Sequence, residues 1–238
     1  MQMSLKEVSN SKVWQARRRK IQNEIVAQAM DLFDAKGYEA TTVDNIASAS
    51  LISSRTFYRY FPAKEDLVFH GFPDSVELLR REVRMSRGRL LNRLRHASVT
   101  LSQVLESDRQ AWIRRFNLIL SVPSLRARDI IVNERYEEVF REVILEEWPD
   151  TIEMRQKSQL LAGAIMGGIQ TAIKMWVRGH GSPSLPILAN SVFDTLEPVG
   201  VPLADTSQQH YGQEKPAPIK KRRRSQNGNW DSWMNQEE

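Results

Sequence analysis

Hydroxyls, phenols and cations crowd into one short region of the chain. Thr42 precedes VDNIASAS, SSRTFYRYF follows at Ser53–Phe61, and Lys64 stands two residues past Pro62. Ser53, Ser54, Arg55 and Thr56 combine short donors and acceptors with a planar cation, the set that reads base edges and grips phosphate oxygens. Tyr58 brings an apolar ring with a polar tip, and Arg59 and Lys64 add positive charge. A second basic cluster, Arg17-Arg18-Arg19-Lys20, lies upstream, and a third, Lys220-Lys221-Arg222-Arg223-Arg224, lies near the end. Clusters of this kind are electrostatic footprints for a polyanion, nucleic acid first and anionic membrane second.

Catalytic chemistry has no comparable signature. His70, His96, His180 and His210 are scattered, with no pair at metal-ligand spacing, and cysteine is absent. Glu137-Glu138 and Glu146-Glu147 sit among apolar residues as solvated helix faces, and no glycine-rich phosphate loop occurs. The expectation is a non-enzyme with no metal and no cofactor. The 238 residues are 41% hydrophobic and 26% charged with a net charge of +5, which excludes wholesale disorder and allows one or two domains. The start, MQMSLKEVSN, lacks the apolar stretch of a secretory signal, and no apolar run approaches the ~20 residues of a membrane span. A cytoplasmic protein with no membrane partner is expected.

The elements that must position these groups read as helices throughout. Residues 1–11 are polar and aperiodic, a flexible arm. From Lys12 to Lys36 the apolar residues Ile21, Ile25, Ala29, Leu32 and Phe33 recur at three- and four-residue steps, a helix with one buried stripe that Gly37 ends. Thr41 or Thr42 caps a short second helix, and Ser53 or Ser54 caps a third that stops at Phe61-Pro62. Two short capped helices joined by a tight turn make a helix-turn-helix, with residues 12–72 as its domain. Its second helix lies in the major groove, so Ser53 to Arg59 face the nucleic acid while Phe57 and Phe61 hold the bundle together.

Residues 73–198 form a larger helical domain. Val76 to His96 reads as one long amphipathic helix, residues 97–121 as two shorter ones, and Pro123 begins another that ends before Pro149. Gln159 to Val177 is the most apolar helix, and Ile187 to Leu196 the last. Residues 199–238, with KKRRR, read as a disordered basic tail, which either adds sequence-independent DNA affinity or is an unselected end. No strand pattern appears, and the fold class is all-α.

GYEATTVDNIASAS followed by LISSRTFYRYFPAKEDLV resembles the N-terminal DNA-binding domain of the TetR family of bacterial transcriptional regulators, over roughly residues 18–69. The resemblance implies a homodimer of all-helical subunits, each with a three-helix reading head and a C-terminal domain that dimerises and binds a small-molecule effector. Ser53 to Arg59 would be the recognition helix, and Thr42, Tyr58 and Lys64 the phosphate contacts. The family usually has glycine where this chain has Leu51. Either the turn differs here, or burial of the leucine offsets its backbone strain.

For the larger domain, the resemblance implies an apolar effector pocket, with Trp112, Phe116, Leu120, Tyr136, Phe140, Met166 and Gln170 as candidates. Arg114, Arg115, Arg126 and Arg128 could meet an anionic ligand such as an acyl-CoA thioester. Gly163, Gly167, Ile173, Trp176, Ile187 and Val192 are the candidates for an isologous dimer interface. The implied function is sequence-specific regulation at a near-palindromic operator, repression before activation. The alternative is a similar helical protein that binds DNA without sequence preference, or binds a protein partner.

Overall fold

The computed structural model describes residues 5–197, with side chains from Val13 onward. The expected basic tail lies outside the described residues. Within them every regular element is a helix. The head comprises α1 (Leu5–Lys36), α2 (Val43–Ala49), α3 (Ser54–Tyr60) and α4 (Glu65–Val68). Helix α1 starts at Leu5, so most of the expected flexible arm is helical. LKEVSNSKVWQ contains neither Pro nor Gly, and lengthening a formed helix avoids the penalty of nucleating one. Ile25, Ala29 and Phe33 form the buried stripe of α1 and meet Ile46, Phe57 and Leu67 from the other three helices.

The body comprises α5 (Phe72–Met85), α6 (Leu90–Ser107), α7 (Arg109–Ser121), α8 (Pro123–Glu147), α9 (Ile152–Arg178) and α10 (Leu185–Leu196). The single helix expected over Val76–His96 is in fact two. Gly88 takes φ of 108°, a left-handed value that breaks the helix, and Ser86 is extended. Helix α9 begins seven residues before Gln159, because Thr151 caps it by accepting the Met154 N–H at 3.2 Å. Contrary to the sequence expectation, α9 has the length and apolar composition of a bilayer-crossing helix. In the fold its residues Leu161, Ile165, Met166, Ala172 and Trp176 are buried, as befits a core helix.

Two apolar clusters organise the described residues. One runs from the head through Phe69, Phe72 and Phe116 to Trp176 and Leu185. The other joins Leu79, Leu94, Val143, Ile165 and Phe193 from α5, α6, α8, α9 and α10. The head is therefore welded to the body by shared core. Phe72, the first residue of α5, stacks near Phe69 of the head at 5.4 Å and near Trp112 of the body at 5.5 Å.

Candidate nucleic-acid interface and effector cavity

Two helix caps, the first of them reciprocal, set the head's polar surface. The Thr42 hydroxyl accepts the Asn45 N–H at 3.1 Å, while Asn45 Oδ1 accepts the Thr42 N–H at 3.1 Å, a capping box at the start of α2. Ser53 accepts the Thr56 N–H at 3.1 Å and lies 3.0 Å from the Thr56 hydroxyl. Ser54 donates to Asp44 Oδ1 at 2.6 Å, tying α3 to α2. The serines thus build the motif, and Asp44 is a structural partner that the sequence reading missed. Phe57 and Phe61 point inward, their rings 5.9 Å apart. Arg55, Tyr58 and Arg59, at i, i+3 and i+4, occupy the opposite, exposed side of α3.

The other predicted cations are placed with more definition than spacing allowed. Lys64 Nζ donates to the carbonyls of Tyr38 at 2.8 Å and Thr41 at 3.0 Å, and sits 4.1 Å from the Tyr38 ring centre. It brackets the α1–α2 turn. Arg18 donates to the Arg59 carbonyl at 3.4 Å at the C-terminal end of α3. Its guanidinium lies 5.6 Å from the ring centres of both Trp14 and Tyr60. The exposed Arg17 lines the same groove as Arg18, Arg59 and Tyr60, on the flank of α3.

Leu51 follows neither of the alternatives left open by the sequence. Its φ is 55°, so the turn keeps the left-handed form that usually calls for glycine. Its side chain is 94% exposed, so burial does not offset the strain. Hydrogen bonds do that work. The Leu51 N–H donates to the Ser48 carbonyl at 3.1 Å and the Ile52 N–H to the Ala47 carbonyl at 2.9 Å, the paired bonds of a Schellman turn.

In the body a narrow cavity of about 60 Å³ opens on the seam between the two apolar clusters. Trp112, Phe116, Tyr136, Phe140 and Met166 line it, as expected, but Leu120 and Gln170 do not. Leu120 packs against the core instead. Ile173, expected at a dimer face, lines the cavity as well. Ser75, Ser98, Ser102 and Asn133 supply polar atoms missed in the sequence, although the i, i+4 pair Ser98 and Ser102 on an apolar face was a readable signal. No lining residue is charged. Burial pushes the Tyr136 phenol far above its ordinary pKa, and its hydroxyl donates to the Phe72 carbonyl at 3.4 Å. Burial also raises the Asp129 carboxyl, against the Asn133 amide donating to it at 2.9 Å.

Three of the four arginines expected to meet an anionic ligand serve the head instead. Arg114 on α7 pairs with Asp31 at 2.9 Å and Asp34 at 2.7 Å on α1. Arg128 on α8 pairs with Asp66, whose other oxygen accepts the Ala63 N–H at 2.8 Å. Arg115 donates to the His70 carbonyl at 2.9 Å, and burial lowers its pKa to about 10, leaving it charged at neutral pH. Arg126 is exposed. Three of the four paired glutamates also meet cations, Glu138 with Arg141, Glu146 with Arg84 and Glu147 with Arg93, while Glu137 accepts from the Gln159 amide at 2.9 Å. Among the described residues no cluster of three or more metal-ligating side chains occurs.

On α9, Leu160 (74% exposed) and Met175 (52%) form an outward row with Ala164, Gly167 and Thr171, and on α10 Ile187 is exposed as well (60%). Trp176 is fully buried within the subunit and leaves the list of interface candidates. Val192 turns toward its own subunit, where a Cβ on Gly168 would approach its Cγ1 to 2.4 Å. Gly168 is thus the glycine that permits close helix approach, while Gly167 faces open space and Gly163 lies near Glu137.

Comparison with known proteins agrees with this architecture. The chain is 42% identical over 53 residues to the transcriptional regulator TcmR of Streptomyces glaucescens, covering 22% of this chain and 24% of that protein. It thus spans about a quarter of TcmR's length. It is 27% identical over 171 residues to the putative mycofactocin biosynthesis transcriptional regulator MftR of Mycobacterium tuberculosis, covering 71% of this chain and 85% of that one. A solved structure of Thermus thermophilus FadR, a TetR-family repressor in complex with lauroyl-CoA, superposes with a TM-score of 0.50 at 23% identity, over 83% of this chain and 98% of that one. Residues 25–70 match the model of bacterial regulatory proteins of the tetR family, and residues 89–200 match the MftR C-terminal domain model. With the capped helix-turn-helix joined to an all-helical body, these matches establish that the chain belongs to the TetR family of transcriptional regulators.

Proposed function

We propose that the protein acts in the cytoplasm as a homodimeric repressor, binding a near-palindromic DNA operator and releasing it when a small-molecule effector occupies the body. The observation that carries this reading is α3. Its buried face is locked into the head core while Arg55, Tyr58 and Arg59 are presented together on the exposed face. Arg55 reads a base through paired donors, Tyr58 and Thr42 donate to phosphates, and Lys64, Arg17 and Arg18 raise affinity through charge. The outward row on α9 and α10 supports a two-fold interface built from Leu160, Gly167, Met175 and Ile187. Such a dimer sets two recognition helices about 34–36 Å apart or somewhat more.

The uncharged cavity supports an effector whose buried part is apolar, such as the acyl chain of a thioester. At about 60 Å³ the cavity is far below the ~300–1,000 Å³ of a filled ligand site. An acyl chain therefore has to part the helices around Phe72, Trp112 and Phe116. The same three rings stand at the join of head and body, so parting them changes the separation of the two heads. Selection of bound duplexes from a random pool at near-physiological salt tests the reading. Recovery of an inverted repeat supports it, and recovery of unpatterned, salt-sensitive DNA rejects it.

A further inference from the structure

Leu51 combines two properties that folding alone does not reward. It holds a left-handed backbone, and it extends a branched apolar side chain almost wholly into solvent. Its Schellman bonds would form equally well with glycine, which has no Cβ to clash, or with asparagine, whose side chain offsets the clash by local hydrogen bonding. Strained positions of this kind concentrate where function requires them. The backbone that carries it is held firmly in place. The two turn hydrogen bonds fix the backbone on either side, and Ile52, next in sequence, packs into the head core.

Its place in the chain identifies what it meets. Leu51 lies two residues before Ser53, the cap of the helix that carries Arg55, Tyr58 and Arg59. In a helix-turn-helix the N-terminal end of that helix is the part inserted among base edges. Among the major-groove edges of the bases, thymine alone offers an apolar group, its 5-methyl. We propose that Leu51 is a specificity-determining residue that packs on the 5-methyl of one thymine in each operator half-site. The apolar contact adds a base preference that neither Arg55 nor the hydroxyls around it can supply. This inference rests on the operator reading above.

The test uses the full chain and the operator recovered from the random pool. Each thymine of a half-site is replaced in turn by uracil, which removes only the methyl group. Binding is measured for the wild type, Leu51→Gly and Leu51→Asn. Both variants tolerate positive φ, and thermal unfolding verifies that they fold. At one position per half-site, uracil should weaken the wild type about fourfold, the worth of one buried methyl-sized group. The same duplex should bind both variants as well as its thymine parent does. An equal uracil penalty in wild type and variants, or no penalty at any thymine, overturns the assignment while leaving the operator reading intact. A pool that yields no shared sequence overturns both.

Discussion

Arg115 Nη1 donates to the His70 carbonyl across 2.9 Å, so a guanidinium on α7 grips the turn leading from the head into the body. The same guanidinium lies 4.6 Å from the ring centre of Trp112, a wall of the cavity. The His70 ring in turn packs edge-on against Phe61, the cap at the C-terminal end of α3, with 5.5 Å between centres. Three contacts therefore connect the cavity to α3. Substituting Arg115→Met keeps apolar packing and removes the donor. Effector-induced loss of DNA affinity, commonly 5–150-fold (about 1–3 kcal/mol) in coupled systems, should shrink at least several-fold, while affinity without effector changes little. Operator titrations with and without lauroyl-CoA measure it, and an unchanged ratio argues against this route.

The same turn should make stability depend on pH. Burial first, and the neighbouring Arg115 charge second, hold the His70 pKa below its ordinary 6.5, against a smaller opposite pull from Asp74. Its Nε2 lies 3.0 Å from Asn23 on α1. The unfolded chain thus takes up a proton that the folded protein resists. The stability contribution is complete above about pH 6.5 and declines as pH falls toward the lower folded value. Urea midpoints at pH 7.5 and 5.5 should differ less in His70→Gln than in wild type. An identical difference would exclude His70 as the source.

Leu51→Gly has a second, thermodynamic expectation. It relieves about 1–2 kcal/mol of left-handed strain and adds about 0.4–1 kcal/mol of unfolded-chain entropy. The side chain is 94% exposed, so little packing is lost. Stability in urea should stay level or rise by up to about 1.5 kcal/mol. A clear loss would mean Leu51 makes a contact within the fold.

Ala172, 3% exposed, lines the cavity from α9. Ala172→Val adds two methyl groups to a void of about 60 Å³, so the fold should accommodate it with a change in stability under about 1.5 kcal/mol. Binding of lauroyl-CoA, followed by calorimetry, should fall at least tenfold if the effector enters there. Unaltered binding would place the effector elsewhere.

Leu160 is 74% exposed on the outward row of α9. Leu160→Glu should leave the subunit's helicity intact and convert a dimer to monomers in sedimentation. Operator affinity should drop steeply, because two half-sites are no longer held together. Persistence of the dimer would move the interface away from α9.

What the sequence determined was local. The stop at Phe61-Pro62 and the stripe Ile25, Ala29, Phe33 depend on neighbours within a few residues and appear as read, while the caps fall on Thr42 rather than Thr41 and on Ser53 rather than Ser54. Local signals also placed Arg55, Tyr58 and Arg59 on one exposed face. The break at Ser86–Arg89 was equally local, but amphipathic periodicity on both sides concealed it until Gly88 showed its positive φ. The tertiary structure decided which partner each group found. Arg114, Arg115 and Arg128 looked like surface or ligand-binding cations, and only packing of α7 and α8 against the head brought them to Asp31, His70 and Asp66. Trp176 and Leu160 share one apolar helix, yet one is sealed in the core and the other faces out. Composition is common to both sides of that helix, whereas burial depends on where α8 and α10 lie against it.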